Sequence, residues 1–487
     1  MIKRNDPRHT ISGQVMADNS VAQSDLKDEA TRSSLGDKLE TLKELDGKAP
    51  ARRALSIQTW TTAEGAKVLF VEAHELPMLD IFLNFAAGSS QDNETPGIAQ
   101  LTSYMLDEGV NGKDANAIAQ GFEALGAQLE TGAYEDRATV WLRSLSVAQK
   151  REPALKLFSE VVGKPTFPSD SVTRLKNLMI ANIESEKREP RAIAWNELYK
   201  KIYGDHPYGH RTNGNEKGIS AITQAHLKAF HAKGYAAGNA VIAMIGDLST
   251  EEAQVIAAQV SASLPKGPKL AKAGDPVEPK ASATHIEFPS SQTQILLGQL
   301  GIPRNDPDYA ALMAGNSILG GSGFGGRLVT EVREKRGLTY SVWSTFDAQK
   351  ASGAFIIELQ TRAEMSESTL KLVQKTVRDF IANGPTQNEL DNVKRKIIGS
   401  FPLELAGNGA IGTRLADIGF YDLPTSHFDD YMAAIQSLTV QQVKAVMSKH
   451  LSADKMVVVT VGPTVPQKEL PEPVEKLTSQ AADAKAH

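Results

Sequence analysis

The chain has 487 residues, 41% of them hydrophobic, which is more than one core absorbs, because single cores stop growing at about 250 to 300 residues; two large domains are expected. Lys plus Arg number 53 against 58 Asp plus Glu, and the net charge of −5 gives neither the basic footprint of a nucleic-acid binder nor a membrane-binding face. The absence of cysteine excludes disulfides, Cys-ligated zinc and thiol nucleophiles.

Residues 1–52 are polar and lack the apolar stretch of a secretory signal, and no run of 18 apolar residues occurs anywhere, so they read as a disordered leader. Taken literally, the chain is soluble and unexported. A polar leader is also what remains once an N-terminal anchor has been removed, so the cytoplasm and the bacterial periplasm or cell envelope both stay open. Strand patterns follow at Lys67–Val71, Leu79–Phe85 and Thr139–Ser144. Gly97–Glu108 has the spacing of an amphipathic helix, with Ile98, Leu101 and Met105 as the buried stripe and Gln100, Ser103 and Tyr104 on a second face.

The histidines are unpromising as metal ligands. His206 and His210 have the spacing of a helical pair, but Pro207 and Gly209 between them argue for a turn. His74-Glu75 has no second histidine at a useful distance, and His226, His231, His285 and His450 are scattered surface or satisfied interior positions.

The chain repeats itself. Ala221–Phe230 and the following Val241–Gly246 match Ser437–Val446 and Val457–Gly462 without a gap at an offset of 216, and Leu155-Lys-Leu matches Leu370-Lys-Leu at 215. Thr223 and Thr439 are N-caps, with Gln442 completing a capping box in the second copy. Between the copies, residues 264–284 carry four prolines and little apolar content, the composition of a linker. The expected organisation is a domain over 53–263, the linker, a second domain over 285–465 and a loosely held tail over 466–487.

In the second copy Thr293–Leu300, Leu338–Phe346 and Gly353–Gln360 are strand-like. Hairpin strands followed by grouped helices indicate an α+β fold, two homologous domains in tandem, each a mostly antiparallel sheet packed with helices. The most specific segment is Ile318–Val342. A glycine-rich loop (Gly320, Gly321, Gly323, Gly325, Gly326) leads into a helix in which Leu328 and Val332 face the core, and Gly337 stops it. Arg333 falls in the last turn, where a cation suits the negative helix end, and Tyr340, early in the next strand, can reach the same place. The plainer alternative pairs Arg333 with Glu331 or Glu334 on a solvated surface and leaves Tyr340 a half-buried strand residue. The glycine run has no Gly-Lys-Ser/Thr and no correctly spaced ribose-binding acid, so a loop that lets a peptide backbone approach is the economical reading.

Ile318–Val342 closely resembles the second-domain signature of the pitrilysin/insulinase family of zinc peptidases. Gly97–Glu108 resembles that family's active-site helix, and Tyr203–Gly209 one of its structural loops; the resemblance spans about 55–465. It implies the architecture of mitochondrial processing peptidase subunits. The family helix carries H-x-x-E-H, two imidazoles on one face beside a general base, and here Gln100, Ser103 and Tyr104 occupy the three slots. A further metal-binding glutamate of the family aligns with Ala181 or Asn182, or with Glu184 if the register shifts. No metal is therefore expected in this chain.

The resemblance implies that Arg333 and Tyr340 hold substrate backbone and stabilise the scissile carbonyl in trans, in a heterodimer whose homologous second chain keeps an intact H-x-x-E-H and its zinc. A peptide is the implied substrate, and homodimer versus heterodimer stays open for the chain on its own. The competing reading is a peptide-binding or assembly scaffold with no enzymatic partner. A stand-alone zinc protease conflicts with Gln100, Ser103 and Tyr104.

Overall fold

The computed structural model describes residues 55–321 and 325–474, so the leader expected over 1–52 lies outside the described residues. In the first half the strands are β1 (Gln58–Thr61), β2 (Lys67–Glu72), β3 (Met78–Phe85), β4 (Gly109–Val110), β5 (Lys113–Asp114), β6 (Gln128–Ala133), β7 (Ala138–Leu145) and β8 (Ala240–Gly246). The helices are α1 (Ile98–Tyr104), α2 (Ala115–Leu125), α3 (Ala148–Gly163), α4 (Ser169–Glu186), α5 (Pro190–Tyr203), α6 (Glu216–Ala221), α7 (Gln224–Gly234) and α8 (Thr250–Ser263). The second half contributes β9 (Ser282–Glu287), β10 (Gln292–Leu300), β11 (Val342–Asp347), β12 (Ala354–Arg362) and β13 (Val457–Gly462). Its helices are α9 (Tyr309–Leu319), α10 (Ser366–Asn383), α11 (Gln387–Glu404), α12 (Asn408–Phe420), α13 (His427–Ser437) and α14 (Val440–His450), with a π-helical turn over Val329–Glu334.

The six-stranded sheet has the order β1-β2-β8-β3-β7-β6 and the five-stranded sheet the order β11-β12-β10-β13-β9. Each is antiparallel except for one pair, β2 with β8 and β9 with β13. Read from the opposite end, the second order reproduces the first from β2 to β6, which is the duplication seen in three dimensions. Thr223 and Thr439 both cap their helices in capping boxes; the first copy closes its box with His226, which the sequence reading missed. Strand β9 begins at Ser282, so the connector without helix or strand runs over 265–281.

Helices α3 and α8 cover one face of the first sheet through Phe158, Val161, Ile256 and Val260. The other face takes a helix from the opposite half. Gly412 and Gly419 of α12 sit against Phe82, Leu69 and Val241, and a Cβ on Gly412 would lie 2.1 Å from the Phe82 ring. The exchange is reciprocal. Ala194, Leu198 and Ile202 of α5 pack with Leu296, Val457 and Val459 of the second sheet, where a Cβ on Gly298 would lie 2.7 Å from Ile202 Cδ1. Full burial of a Leu or Ile side chain is worth roughly 1.5–3 kcal/mol, so each exchanged helix supplies a substantial part of the other half's cohesion. Covering on both faces explains why every residue of β8 is buried and why Ala240–Gly246 reads as a continuous apolar run.

Two local expectations are corrected. Tyr340 does not lie in a strand; β11 starts only at Val342. Gly337, at φ +59, turns the chain, the Leu338 N–H closes on the Val332 carbonyl (3.0 Å), and Thr339 Oγ1 bonds the Ser341 backbone, so 338–341 are spent in a turn. The tail is also held further than composition suggested: Gln467 and Lys468 bond the 363–364 backbone, and the Val474 N–H donates to the Lys335 carbonyl at 2.8 Å. Among the described residues no helix is long and apolar enough to cross a membrane.

Candidate functional site

Helix α1 is fixed at its start by Asp92, whose buried carboxylate accepts the Gly97 N–H at 2.7 Å and the Ala99 N–H at 2.9 Å. Burial pushes this carboxyl up to about 7, the two N–H donors pulling the other way. Ile98, Leu101 and Met105 enter a core with Leu175, Met179 and Ile183 of α4, the stripe read from the sequence. Gln100 and Ser103 point inward as well, 1% and 0% exposed, while Tyr104 is half-buried. Thr131 Oγ1 of β6 donates to the Ser103 carbonyl at 3.1 Å, seating α1 on the edge of the sheet.

The three slots thus offer an amide, a hydroxyl and a phenol, none of them a good zinc donor at neutral pH. Ala181 and Asn182 are exposed on α4 and supply no carboxylate. Glu184, the alternative in register, pairs with Lys187. The donor set does not fit zinc. Among the described residues one cluster has metal-ligand character, Asp306, Asp308 and His450, far along the chain from α1. There Asp308 already accepts Lys449 Nζ at 2.7 Å and His450 Nε2 at 2.8 Å, so an ammonium fills the cation's role.

In the second half the π-helical turn carries Val332 into the core and Arg333 to its edge. The Arg333 guanidinium carbon lies 5.4 Å from the centre of the Tyr340 ring, and Tyr340 is 80% exposed. Of the two carboxylates expected as alternatives, Glu331 spends its own on Lys335 (2.6 Å) and Arg336 (2.9 Å).

The glycine-rich loop is anchored at both ends. Asn316 and Ser344 bond each other, the Ser344 N–H donates to the Gly320 carbonyl at 2.7 Å, and a Cβ on Gly320 would meet Leu328 at 2.6 Å. Gly321 packs as tightly, a Cβ there falling 2.7 Å from Ser317 Cα, and Gly325 needs its φ of +111; Gly323 lies outside the described residues. Gly326 leads into Arg327, which forks onto Glu389 with two 2.8 Å bonds, donates to the Gly384 carbonyl and stacks on Phe380. Burial works against the Glu389 carboxylate, but Arg327 and the Thr386 cap outweigh it and hold it down to about 2. Arg327 escaped the sequence reading; the Thr386-x-x-Glu389 capping box was the available signal.

The Tyr203–Gly209 segment is a brace rather than a metal loop. His206 bonds the Gly274 carbonyl (2.7 Å) and accepts the Tyr208 N–H, while the Tyr208 hydroxyl donates to Asp136 and accepts the Ala351 N–H. Four other histidines are satisfied locally: His74 between Glu72 and Asp247, His231 on the Val162 carbonyl, His285 on Thr460 and His226 in its capping box.

Tandem mixed sheets that cover each other's faces with exchanged helices, the first carrying a helix with an amide, a hydroxyl and a phenol in the three slots, have the architecture of a peptidase-like chain. Residues 67–216 match the family profile described as insulinase (peptidase family M16), and 221–397 that of the peptidase M16 inactive domain. This chain belongs to the M16, or insulinase, family. It is similar to a peptidase M16 inactive domain from Pseudomonas fluorescens, 62% identical, with a TM-score of 0.84, covering 86% of this chain and all of that one. It also resembles the non-peptidase homolog YmxG of Helicobacter pylori, 26% identical over 79% of this chain and 88% of the relative. A protease structure from Helicobacter pylori shares the fold at TM-score 0.77 and 17% identity, covering 84% of this chain and all of that one.

Proposed function

We propose that this chain is the zinc-less subunit of a two-chain zinc metallopeptidase, enclosing a peptide and supplying Arg333 and Tyr340 to it. The observation that carries this reading is the pairing of a guanidinium and an exposed phenol at 5.4 Å, in a chain whose α1 carries no metal ligand in the three slots. A cation and a hydroxyl side by side can hold a substrate carbonyl and stabilise the oxyanion that develops on it, a contribution on the order of 3 kcal/mol. Zinc held by the H-x-x-E-H of a homologous partner would activate the attacking water.

The test mixes this chain with a homologue carrying the intact motif. Cleavage of an unfolded peptide only in the mixture, reduced by Arg333→Ala, supports the reading; cleavage indifferent to both residues removes it. The similarity to a relative described as a non-peptidase homolog also favours a second reading, a peptide-binding or assembly scaffold with no enzymatic partner. That reading is upheld if the chain binds peptide through the same residues while no mixture cleaves.

A further inference from the structure

Away from α1 and the Arg333 turn, three lysines from three separate segments converge on one cavity of about 100 Å³. Lys67 stands at the start of β2, Lys269 on the connector and Lys350 on the loop between β11 and β12; Gly65, Gly238, Ala240 and Gly419 form much of the wall. One carboxylate, Asp422, faces them, taking Lys67 at 3.3 Å and Lys269 at 2.9 Å. Lys67 also reaches the Gly419 carbonyl at the end of α12, at 3.4 Å. Lys350 has no carboxylate within ion-pair distance among the described residues; its ammonium lies 3.8 Å from the centre of the Phe420 ring.

The backbone segments that carry the three lysines are held in place. The Lys350 N–H donates to Asp136 Oδ2 at 2.7 Å, and the next N–H, of Ala351, to the Tyr208 hydroxyl at 3.2 Å. The Leu270 N–H donates to Asn239 Oδ1 at 3.0 Å, which pins the connector beside Lys269. Lys67 is fixed by pairing of β2 with β1 and β8.

We infer that this cavity is a binding site for a small oxyanion of phosphoryl type, held by Lys67, Lys269 and Lys350. Bringing like charges together in a partly closed space opposes folding unless anions offset them, and lysines carried on segments already held in place bind an anion at a lower cost of ordering. The state of Lys350 agrees. Burial, then Lys269, lowers its ammonium to about 8 against the opposite pull of Asp136 and Asp422, so the amine is frustrated in the way functional lysines are. Asp422 leaves the lysines with excess positive charge, which suits a dianion better than a single carboxylate. The inference is independent of the peptidase reading.

Isothermal titration of the full chain with inorganic phosphate at pH 7, at ionic strength fixed with chloride, tests it. Saturable binding of one phosphate per chain is expected, weakened at least about tenfold in Lys350→Gln and in Lys67→Gln and unchanged in Lys201→Gln, which lines a separate groove. A parallel titration with glycerol 3-phosphate separates the sources: binding by both assigns a phosphomonoester, and binding by phosphate alone assigns the free anion. Should a variant fold poorly, phosphate protection of Lys350 in the unaltered chain against an amine-acylating reagent, read by mass spectrometry, replaces it. No saturable binding below about 10 mM, binding undiminished in Lys350→Gln, or acylation of Lys350 indifferent to phosphate would overturn the inference.

Discussion

Helix α1 and the Arg333 turn have fared differently within the same duplicated scaffold. On α1 the slots Gln100 and Ser103 are buried and Tyr104 is half-buried, between a core and a sheet edge, so packing occupies them. At the Arg333 turn an aromatic ring stands 80% exposed, and the loop leading in is braced by Asn316, Ser344 and Glu389. A core gains nothing from an exposed ring, so the two places respond to different demands. Substitutions on α1 should change stability and leave ligand chemistry alone; substitutions at the turn should do the reverse.

Arg333→Ala breaks the comparison most sharply. In the mixture with a zinc-bearing homologue it is expected to lower cleavage by about 10²–10³-fold, the usual cost of removing an oxyanion donor, with no shift in the urea midpoint. Asp92→Ala is the converse: loss of two buried acceptors at the start of α1 should destabilise the chain by about 2 kcal/mol in urea unfolding while cleavage per folded molecule stays constant. Tyr340→Phe is milder, about tenfold in cleavage and without effect on unfolding, because only one exposed hydroxyl is lost.

The smallest effect is a pH dependence. Glu389 is held at about 2 in the fold against 4.5 ordinarily, so its contribution is present above pH 4.5 and fades as pH falls toward 2. Arg327→Met should flatten that part of the stability–pH curve. An unchanged curve would mean that Arg327 does not brace the loop.

Much of this was legible in one dimension. The apolar runs of β3, β7, β8, β10, β12 and β13 and the matched Thr-capped helices follow local rules, and a missing imidazole is visible as a missing letter. The strand β6, Gln128–Ala133, was not, because an edge strand rich in Glu, Thr and Gly has little apolar alternation. Tyr340 was placed in a strand because the alternation of 338–346 hid the turn made by Gly337 and Thr339. Asp92 and Arg327 act on partners fixed by tertiary packing, and the exchange of α5 and α12 leaves no periodic trace, since a stripe on a helix does not name the sheet it will meet.

That exchange has a consequence for how the chain can be cut. Each half carries the cover for the other's exposed sheet face, so neither is a self-sufficient folding unit despite its own sheet and helices. A protease nick within 265–281 should leave a noncovalent pair that travels as one species. Either fragment produced singly should aggregate through its bared strands until the complementary piece is supplied.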